Sequence, residues 1–467
     1  MSALTSAALL IPVLAVYVAL RRPWRGGGLP LSRAAAVCLS PGLGLGLASC
    51  LYFFLLLAEL RRPVALRVDA SLWLGVLFVI AADAWRRRPA PGGDSRPAAV
   101  TTDRIALMAV AVGALVLCAL AARAFWVHAS LRPHGEWDAW AIWNLRARAL
   151  VRGAPDWASV FSNHLAWSNV DYPLLIPLTI ARLWAFEGAE KTIVPAIVAF
   201  TFFASTVATV SVLVGQARGW VSGLLSGAVL VAPHTYVFQG SCQCADVPIA
   251  QFVLVAVACG AMARTAGENR TLIAIAGAAA GLAAWTKNEG QVLFVAMLIG
   301  LATWSRRDRY RAWRWFAVGA VVPLAAVLWF KLRLAPQNYL FTAPAVDSLV
   351  ERLHDADRWT VIRTQLTDLV PAWGEVPGGA LLILAAVVAL TARVSRRELW
   401  GCAFGLGVIV LMMIGYILVY AITPLPLLWQ ILTSFPRLMT QVWPALVWTL
   451  FQISTAGTAD RRPLTTQ

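Results

Sequence analysis

The sequence predicts an all-α, polytopic membrane protein with about thirteen transmembrane helices and with juxtamembrane helices in its first outer loop. Of its 467 residues, 60% are hydrophobic and 13% are charged, whereas a soluble domain carries about 25% charged residues. Apolar runs long enough to cross a bilayer recur almost from end to end. Arg residues stand in short clusters between these runs, a pattern typical of loops held on the cytoplasmic side. Together these observations exclude an ordinary soluble fold.

The predicted spans follow from the length of the apolar runs, since a helix needs about 20 such residues to cross the hydrocarbon. The four that precede the first long polar loop lie near 3 to 20, 36 to 60, 70 to 85 and 105 to 127. The nine that follow it lie near 192 to 214, 219 to 238, 247 to 263, 271 to 286, 289 to 304, 314 to 331, 377 to 393, 400 to 420 and 438 to 454. Arg21 and Arg22 directly follow the first run, which carries no cleavage signal, so we expect it to be retained.

The sidedness depends on the stretch 172 to 186, which is apolar but interrupted by two prolines and Arg182. If this stretch is a re-entrant or juxtamembrane helix, 22 of the 39 Lys and Arg residues fall on one side. Most of the others then lie in long loops, which the positive-inside rule discounts. We therefore predict an outer N-terminus, an inner C-terminus, and two long outer loops, 129 to 190 and 332 to 376.

The net charge of +16 raises the question of a nucleic-acid partner. The placement of the Arg residues between apolar runs favours anionic lipid headgroups instead, and we predict membrane lipids and no nucleic acid as partners. Five of the seven Cys lie inside apolar runs, where a thiol behaves as a small hydrophobe. No disulfide framework is predicted.

The first outer loop begins with the acidic string Glu136-Trp137-Asp138 and continues as an amphipathic segment. At helical spacing one face carries an apolar row, whereas polar side chains such as Asn144 and Arg146 fall largely elsewhere. The apolar row consists of Trp140, Trp143, Ala147 and Leu150. A helix lying in the headgroup plane as a simple anchor explains these Trp residues.

An anchor does not explain the carboxylates of Glu136, Asp138 and Asp171, which lie close to the membrane without a structural need. Such groups are more typical of a catalytic base or a cation ligand. Three further charged residues, Asp246, Lys287 and Arg437, lie at predicted outer ends of apolar runs. Two of them have ordinary explanations, since Asp246 suits a helix N-terminus and Arg437 can snorkel to the headgroups.

Lys287 fits the ordinary explanations less well. It is one of three Lys in the chain and stands between two apolar runs, where an ammonium is costly unless an anion such as a lipid phosphate offsets it. Carboxylates and cations on one membrane face favour a reaction on a lipid-linked phosphate. The sequence holds no P-loop, dinucleotide-binding, zinc-protease or nucleophile-elbow motif that would point to a soluble enzyme.

These motifs resemble those of the GT-C membrane glycosyltransferases, and within them the bacterial glycosyltransferase family 39 and dolichyl-phosphate-mannose-protein mannosyltransferase-like proteins. The similarity covers roughly residues 105 to 450. It rests on an ordered set of strings, namely Glu136-Trp137-Asp138, Asp171-Tyr172-Pro173-Leu174, Ala245-Asp246-Val247-Pro248, Thr286-Lys287-Asn288-Glu289-Gly290, and Ser434 with Arg437. The predicted organisation has N-terminal helices over 1 to 104, which precede the helix with which that family usually begins. A catalytic membrane core over 105 to 454 and a cytoplasmic tail over 455 to 467 follow.

The resemblance further implies transfer of a sugar from a polyprenyl-phosphate donor, at the outer face, with inversion at the anomeric carbon. Asp138 would be the base, with Glu136 as second choice, and Lys287 and Arg437 would bind the lipid phosphate. Substrate contacts would come from further outer-loop and outer-edge residues. These are Asp171, Tyr172, Asp246, Trp140 and His164.

Several points stay open at the level of sequence. A divalent cation on carboxylates and His residues is neither required nor excluded, because no spacing fixes its ligands. The acceptor, a lipid, a glycan or a protein, has no sequence signature, nor has the sugar. We expect a bacterial inner membrane with the site facing the periplasm or exterior. The alternatives are a transporter or lipid flippase, whose charges usually lie at mid-membrane on broken helices, and a noncatalytic scaffold whose Trp residues bind a partner.

Overall fold

The computed structural model describes residues 1–22, 31–86, 104–153, 156–266, 269–304, 306–376, 379–391 and 396–452. Within these ranges the regular structure is helical throughout, and no strand occurs. The all-α prediction is therefore confirmed. The predicted tail, 455 to 467, lies outside the described residues.

The helices as far as the end of the first outer loop are α1 (Ala3–Arg21), α2 (Arg33–Leu57), α3 (Arg62–Arg86), α4 (Arg104–Leu131), a π-helix (Ala139–Trp143), α5 (Asn144–Arg152), two 3₁₀ turns (Trp157–Val160 and Asn163–Ser168) and α6 (Leu175–Glu187). The following helices are α7 (Ile193–Arg218), α8 (Trp220–Val231), α9 (His234–Ser241), α10 (Asp246–Ala266), α11 (Arg270–Thr286), α12 (Glu289–Ala302) and α13 (Arg306–Arg333). The second long loop and the remaining bundle contain a 3₁₀ turn (Tyr339–Phe341), α14 (Ala343–Asp347), α15 (Leu349–His354), α16 (Ala356–Ala372), α17 (Ala380–Thr391), α18 (Arg396–Ile422) and α19 (Leu427–Phe451).

Eight of the described helices are long and apolar enough to cross a bilayer, namely α1, α2, α3, α4, α7, α10, α13 and α18. The pair α8 and α9, bent by 73°, can form a ninth span. The chain is thus a helical, multi-pass membrane protein. Helices also cover the other predicted segments, but α11, α12 and α17 have 17, 14 and 12 residues, and α19 carries several polar side chains. The number thirteen stays a prediction.

Hydrogen bonds and ion pairs at the helix ends sort these ends into two groups. At one end of the bundle, the Ser2 amide and the Thr5 hydroxyl donate to Glu187 Oε2 at 2.8 and 2.5 Å, which places the N-terminus beside the end of α6. At the opposite end of α1, Arg22 Nε lies 2.6 Å from Asp83 Oδ2, near the end of α3. This arrangement fits the predicted location of the N-terminus and the first long loop on one side.

Small residues allow the core helices to touch backbone to backbone. A Cβ atom on Gly277 of α11 would lie 2.0 Å from the carbonyl oxygen of Phe316, and one on Gly319 of α13 would lie 1.8 Å from that of Ala274. Helices in lipid associate through close crossings of this kind, because apolar side chains gain little free energy by moving from lipid to a helix interface. Large apolar side chains such as Phe78 and Leu115, in contrast, are exposed on the outside of the bundle, where lipid would cover them.

The helix α6 is buried but short. Its 13 residues span roughly 20 Å at 1.5 Å per residue, less than the roughly 30 Å of the hydrocarbon. Arg182 of α6 makes a bidentate ion pair with Asp69 of α3, with its Nη2 atom 2.6 Å from Asp69 Oδ2, and its Nη1 atom donates to the Ala8 carbonyl at 2.7 Å. The length fits the predicted non-spanning helix, and the ion pair fixes it against α1 and α3.

Candidate functional site

The amphipathic segment of the first outer loop is helical, but its faces differ from the predicted ones. Trp143, Ala147 and Leu150 are buried, whereas Trp140 is 46% exposed and packs edge-on against Trp137. The cause is the π-helix over Ala139–Trp143, whose wider turn takes Trp140 off the common face. The prediction that these four residues share one face was therefore wrong for Trp140.

Two of the polar residues that we expected on the other face of this segment, Asn144 and Arg146, are also buried, which corrects the sequence analysis for them. Asn144 donates to the His134 carbonyl at 3.1 Å and to Gln243 Oε1 at 3.2 Å. Arg146 is fully buried and donates to the carbonyls of Ser168, Asn169 and Tyr172 at 3.0, 2.8 and 2.7 Å. Its guanidinium thus organises the loop that carries Asp171, a role that periodicity alone does not predict.

Five charged side chains form one connected group at one end of the bundle. We call Asp138, Asp246, Lys287, Glu289 and Arg437 the charge cluster. The carboxylate of Asp246, completely buried, is its centre: Lys287 Nζ lies 3.1 Å from Oδ1 and Arg437 Nε donates to Oδ2 at 2.9 Å. Arg437 also pairs with Asp138, and Lys287 Nζ lies 2.8 Å from Glu289 Oε1.

The cluster holds three carboxylates and two cations, and a neutral amide completes it. Gln441 Nε2 donates to Asp246 Oδ1 at 2.8 Å, and the Tyr416 hydroxyl donates to Gln441 Oε1 at 3.0 Å. Such dense pairing is what buried charges require, because an unpaired charge loses its hydration without compensation.

A tight turn places the two cluster residues between α11 and α12. Lys287 follows the last residue of α11, and α12 begins at Glu289. A Cβ on Gly290 would lie 2.0 Å from the carbonyl carbon of Ala283, so only glycine lets the two helices approach here. Burial alone would lower the pKa of Lys287, but the charges of Asp246 and Glu289 outweigh it and the pKa is raised. The ammonium is therefore charged.

Asp171 lies beside the charge cluster in a second polar group. Asn288 and Asn338 donate to its Oδ2 atom at 2.8 and 2.7 Å. Lys331 of α13 lies 3.5 Å from the same oxygen and donates to the Asp171 carbonyl at 2.5 Å. Asp171 thus links the first outer loop to the α11–α12 turn and to the start of the second loop.

Tyr172 joins the two groups. Its ring stacks on Trp143 with a centroid distance of 5.7 Å and an interplanar angle of 12°, and Lys287 Nζ lies 5.8 Å from the ring centroid, within the range of a cation–π contact. Burial raises the pKa of the Tyr172 phenol well above its usual value, so the hydroxyl stays protonated and able to donate.

A cavity of about 280 Å³ lies against these groups. Tyr172, the start of α12, Lys331, the 3₁₀ turn Tyr339–Phe341, α18 and α19 line it. Its lining includes polar side chains, among them Tyr420 and Ser434, which share a hydrogen bond of 2.7 Å. It also includes apolar side chains, among them Val292 and Leu438. The cavity is therefore amphipathic, and it holds room for a small polar group beside an apolar one.

Two predicted site residues lie apart from the cluster. Glu136 pairs with His128 Nε2 at 3.0 Å, and its amide donates to the Cys242 carbonyl at 3.2 Å. His164 lies exposed in the 3₁₀ turn Asn163–Ser168. Across the described ranges, no group of three or more His, Cys, Asp or Glu side chains is arranged to hold a metal ion.

The structure brings together Asp138, Asp246, Lys287 and Arg437, with Asp171 and Tyr172 next to them, as the order of motifs suggested. The residues that sequence analysis missed supply the partners of these charges. They are Asn288, Glu289, Lys331, Asn338 and Gln441; Arg146, also missed, holds the loop that carries Asp171 through backbone carbonyls. Glu289 and Asn288 belong to the string Thr286-Lys287-Asn288-Glu289-Gly290, so their place in the sequence could have identified them as site residues. Lys331, at the end of an apolar run, carried the same signal as Lys287.

No protein-family model, no curated protein and no solved structure matches this chain. The class that fold and site define is thus a helical multi-pass membrane protein with a charged, cavity-bearing site at one end of its bundle.

Proposed function

We propose that the chain is a membrane glycosyltransferase of the GT-C type, which transfers a sugar from a polyprenyl-phosphate donor to an acceptor outside the cytoplasm. The observation that carries the proposal is the amphipathic cavity beside the charge cluster. Its polar lining residues suit a sugar and a phosphate, and its apolar ones, such as Val292, Val419 and Leu438, suit the first isoprene units. Sites that bind a ligand are commonly apolar pockets with a few converging polar groups.

The proposal includes thirteen spans, with the cavity on the periplasmic or exterior side of a bacterial inner membrane. The contacts at the helix ends support this sidedness, because the cluster, Glu187 and the N-terminus share one end of the bundle. The described helix ends that lead into Arg-rich stretches, such as the end of α1 at Arg21 and that of α3 at Arg86, lie at the other end, where the positive-inside rule puts the cytoplasm.

Cations near the cavity suit a departing phosphate, whose negative charge grows as its bond to the sugar breaks. Among the described residues that line the cavity, Lys331 is the cation, and its side chain is 24% exposed. Lys287 and Arg437, the predicted phosphate ligands, lie behind the wall and are paired with carboxylates. Their part in our proposal is to hold Asp246 and Glu289 in place, and to bind phosphate if those pairs open.

A ligand test checks the proposal without knowledge of the acceptor. Purified full-length protein in lipid nanodiscs is heated with polyprenyl phosphate or with the matching polyprenol, and unfolding is followed by the fluorescence of its 22 Trp residues. At a hundredfold excess over Kd, a specific ligand stabilises the folded state by about 2.7 kcal/mol. We expect stabilisation by the phosphate only. Equal shifts with both lipids, or no shift, contradict phosphate recognition.

The alternative of a transporter or lipid flippase draws on one observation, the broken helix pair α8 and α9 with its 73° bend, since broken helices are common in transporters. The fate of the sugar separates the two functions. In membranes with labelled polyprenyl-phosphate sugars, hexoses and pentoses in turn, a transferase converts the lipid-linked label into another product. A flippase moves the lipid between leaflets and leaves its sugar attached.

A further inference from the structure

The carboxylates near the cavity differ in how fully their oxygens are occupied. Asp246 accepts from Lys287, Arg437 and Gln441, and Asp171 Oδ2 accepts from Asn288 and Asn338. Asp138 is paired with Arg437. A carboxylate held by strong donors is a weak proton acceptor, because each charge-assisted hydrogen bond stabilises its ionised form.

Glu289 differs from them in its place. Among the described residues that line the cavity it is the carboxylate, with a side chain 18% exposed. Oε1 contacts Lys287 at 2.8 Å, whereas Oε2 has no hydrogen-bond partner in the described part of the chain. A carboxylate oxygen without a partner is costly in a protein interior. Oε2 is buried in this conformation. Because the last side-chain torsion of a Glu is broad, a turn about it brings this oxygen toward the cavity that the side chain lines.

We propose that Glu289 is the proton acceptor of the transfer reaction, in place of Asp138 or Glu136. The assignment rests on the proposed function. The acceptor hydroxyl oxygen forms the new bond to the anomeric carbon as the bond from that carbon to the phosphate oxygen breaks. The electron pair of the broken bond leaves with the polyprenyl phosphate, beside Lys331. The proton of the acceptor hydroxyl passes to Glu289. Lys287 fixes the carboxylate through one oxygen and leaves the other for the proton.

The test compares Glu289→Gln with one isosteric control variant and with one variant of the rival base. All are assayed in membranes that supply the native acceptors. Glutamine keeps a side-chain oxygen for Lys287 and loses the proton acceptor. The control Glu190→Gln removes a carboxylate that pairs with Arg148 and Arg152 on the surface, and Asp138→Asn tests the earlier assignment. The substrate is labelled polyprenyl-phosphate mannose, or whichever member of the sugar panel the wild type consumes.

We expect Glu289→Gln to lower transfer by roughly 100-fold or more, the usual contribution of a positioned base, and Glu190→Gln to leave it unchanged. Stabilisation by polyprenyl phosphate is expected to persist in Glu289→Gln. If that stabilisation is absent already in the wild type, the proposed function fails; if it is present and Glu289→Gln transfers normally, only the assignment of Glu289 fails.

Azide supplies a readout that a merely structural role would not move. It is a nucleophile without a proton, so its attack on the anomeric carbon needs no base, and the products are a glycosyl azide and polyprenyl phosphate. We expect Glu289→Gln to form the glycosyl azide at a rate near that of the wild type. Equal losses with azide and with the native acceptor would overturn the proposal, as would a larger loss of hydroxyl transfer in Asp138→Asn with azide transfer intact.

Discussion

Replacing Arg182 by Met tests how α6 is anchored. The change leaves the Asp69 carboxylate, which is completely buried, without its partner. Arg182 makes three contacts of 2.6 to 3.1 Å with this carboxylate and one of 2.7 Å with the Ala8 carbonyl. Removing one partner of a buried ion pair costs about 3–5 kcal/mol, whereas replacing both by apolar residues is often neutral or stabilising. We therefore expect a loss of about 3–5 kcal/mol for Arg182→Met.

The double variant Asp69→Leu with Arg182→Met is expected to recover most of that loss. The assay is the free energy of unfolding from SDS titration in mixed micelles, followed by Trp fluorescence, on the wild type, both single variants and the double variant. The coupling energy of this cycle isolates the pair. A loss below about 1 kcal/mol in Arg182→Met, typical of exposed pairs, would refute the idea that this pair holds α6 in the bundle.

Two further substitutions test the local geometry of the site. Arg146→Lys should lower the free energy of unfolding by about 2 kcal/mol or more, because one ammonium cannot reach three carbonyls and each hydrogen bond to a charged group contributes about 1.5–3 kcal/mol. In the same unfolding assay the control Arg148→Lys, at a surface pair, should lose less than about 1 kcal/mol. Equal losses in the two variants would contradict the role of Arg146. Gly290→Ala should abolish most transfer by displacing Glu289, whereas Gly75→Ala, where a Cβ meets no atom within 4 Å, should leave transfer intact. Normal turnover of Gly290→Ala would show that the turn tolerates a side chain.

The helical fold was predictable because apolar length and Arg placement are local properties of the chain. The described part of each predicted span is largely helical, although the span 219 to 238 is divided into α8 and α9 with a bend of 73°. The interrupted stretch from 172 to 186 contains the short α6. The number of crossings was not predictable to the same degree. A helix such as α19 is too polar to be assigned by hydropathy, and α11 and α12 are too short to be assigned by length.

The site was predictable in its members and not in its connections. Asp246, Lys287 and Arg437 belong to motifs that topology places at one membrane face, and they meet there. Which cation pairs with which carboxylate depends on packing between helices, and Asp246 and Arg437 are 191 positions apart. The burial of Arg146 was missed for a local reason, since one π-helical turn shifts the register that the 3.6-residue period assumes.

The position of Arg437 and Gln441 in α19 has a consequence for biosynthesis. During synthesis, α10 and α11 enter the membrane long before α19, so Asp246 has Lys287 as its available ionic partner until the end of translation. An Arg inside a helix opposes insertion by about 2.5–3.5 kcal/mol. The carboxylates of Asp246 and Asp138 are the groups that offset this cost once α19 arrives. Under the proposed thirteen spans, α19 inserts after Asp246 is already in the membrane, and we expect a chain that stops before Leu427 to leave Asp246 without its partners Arg437 and Gln441.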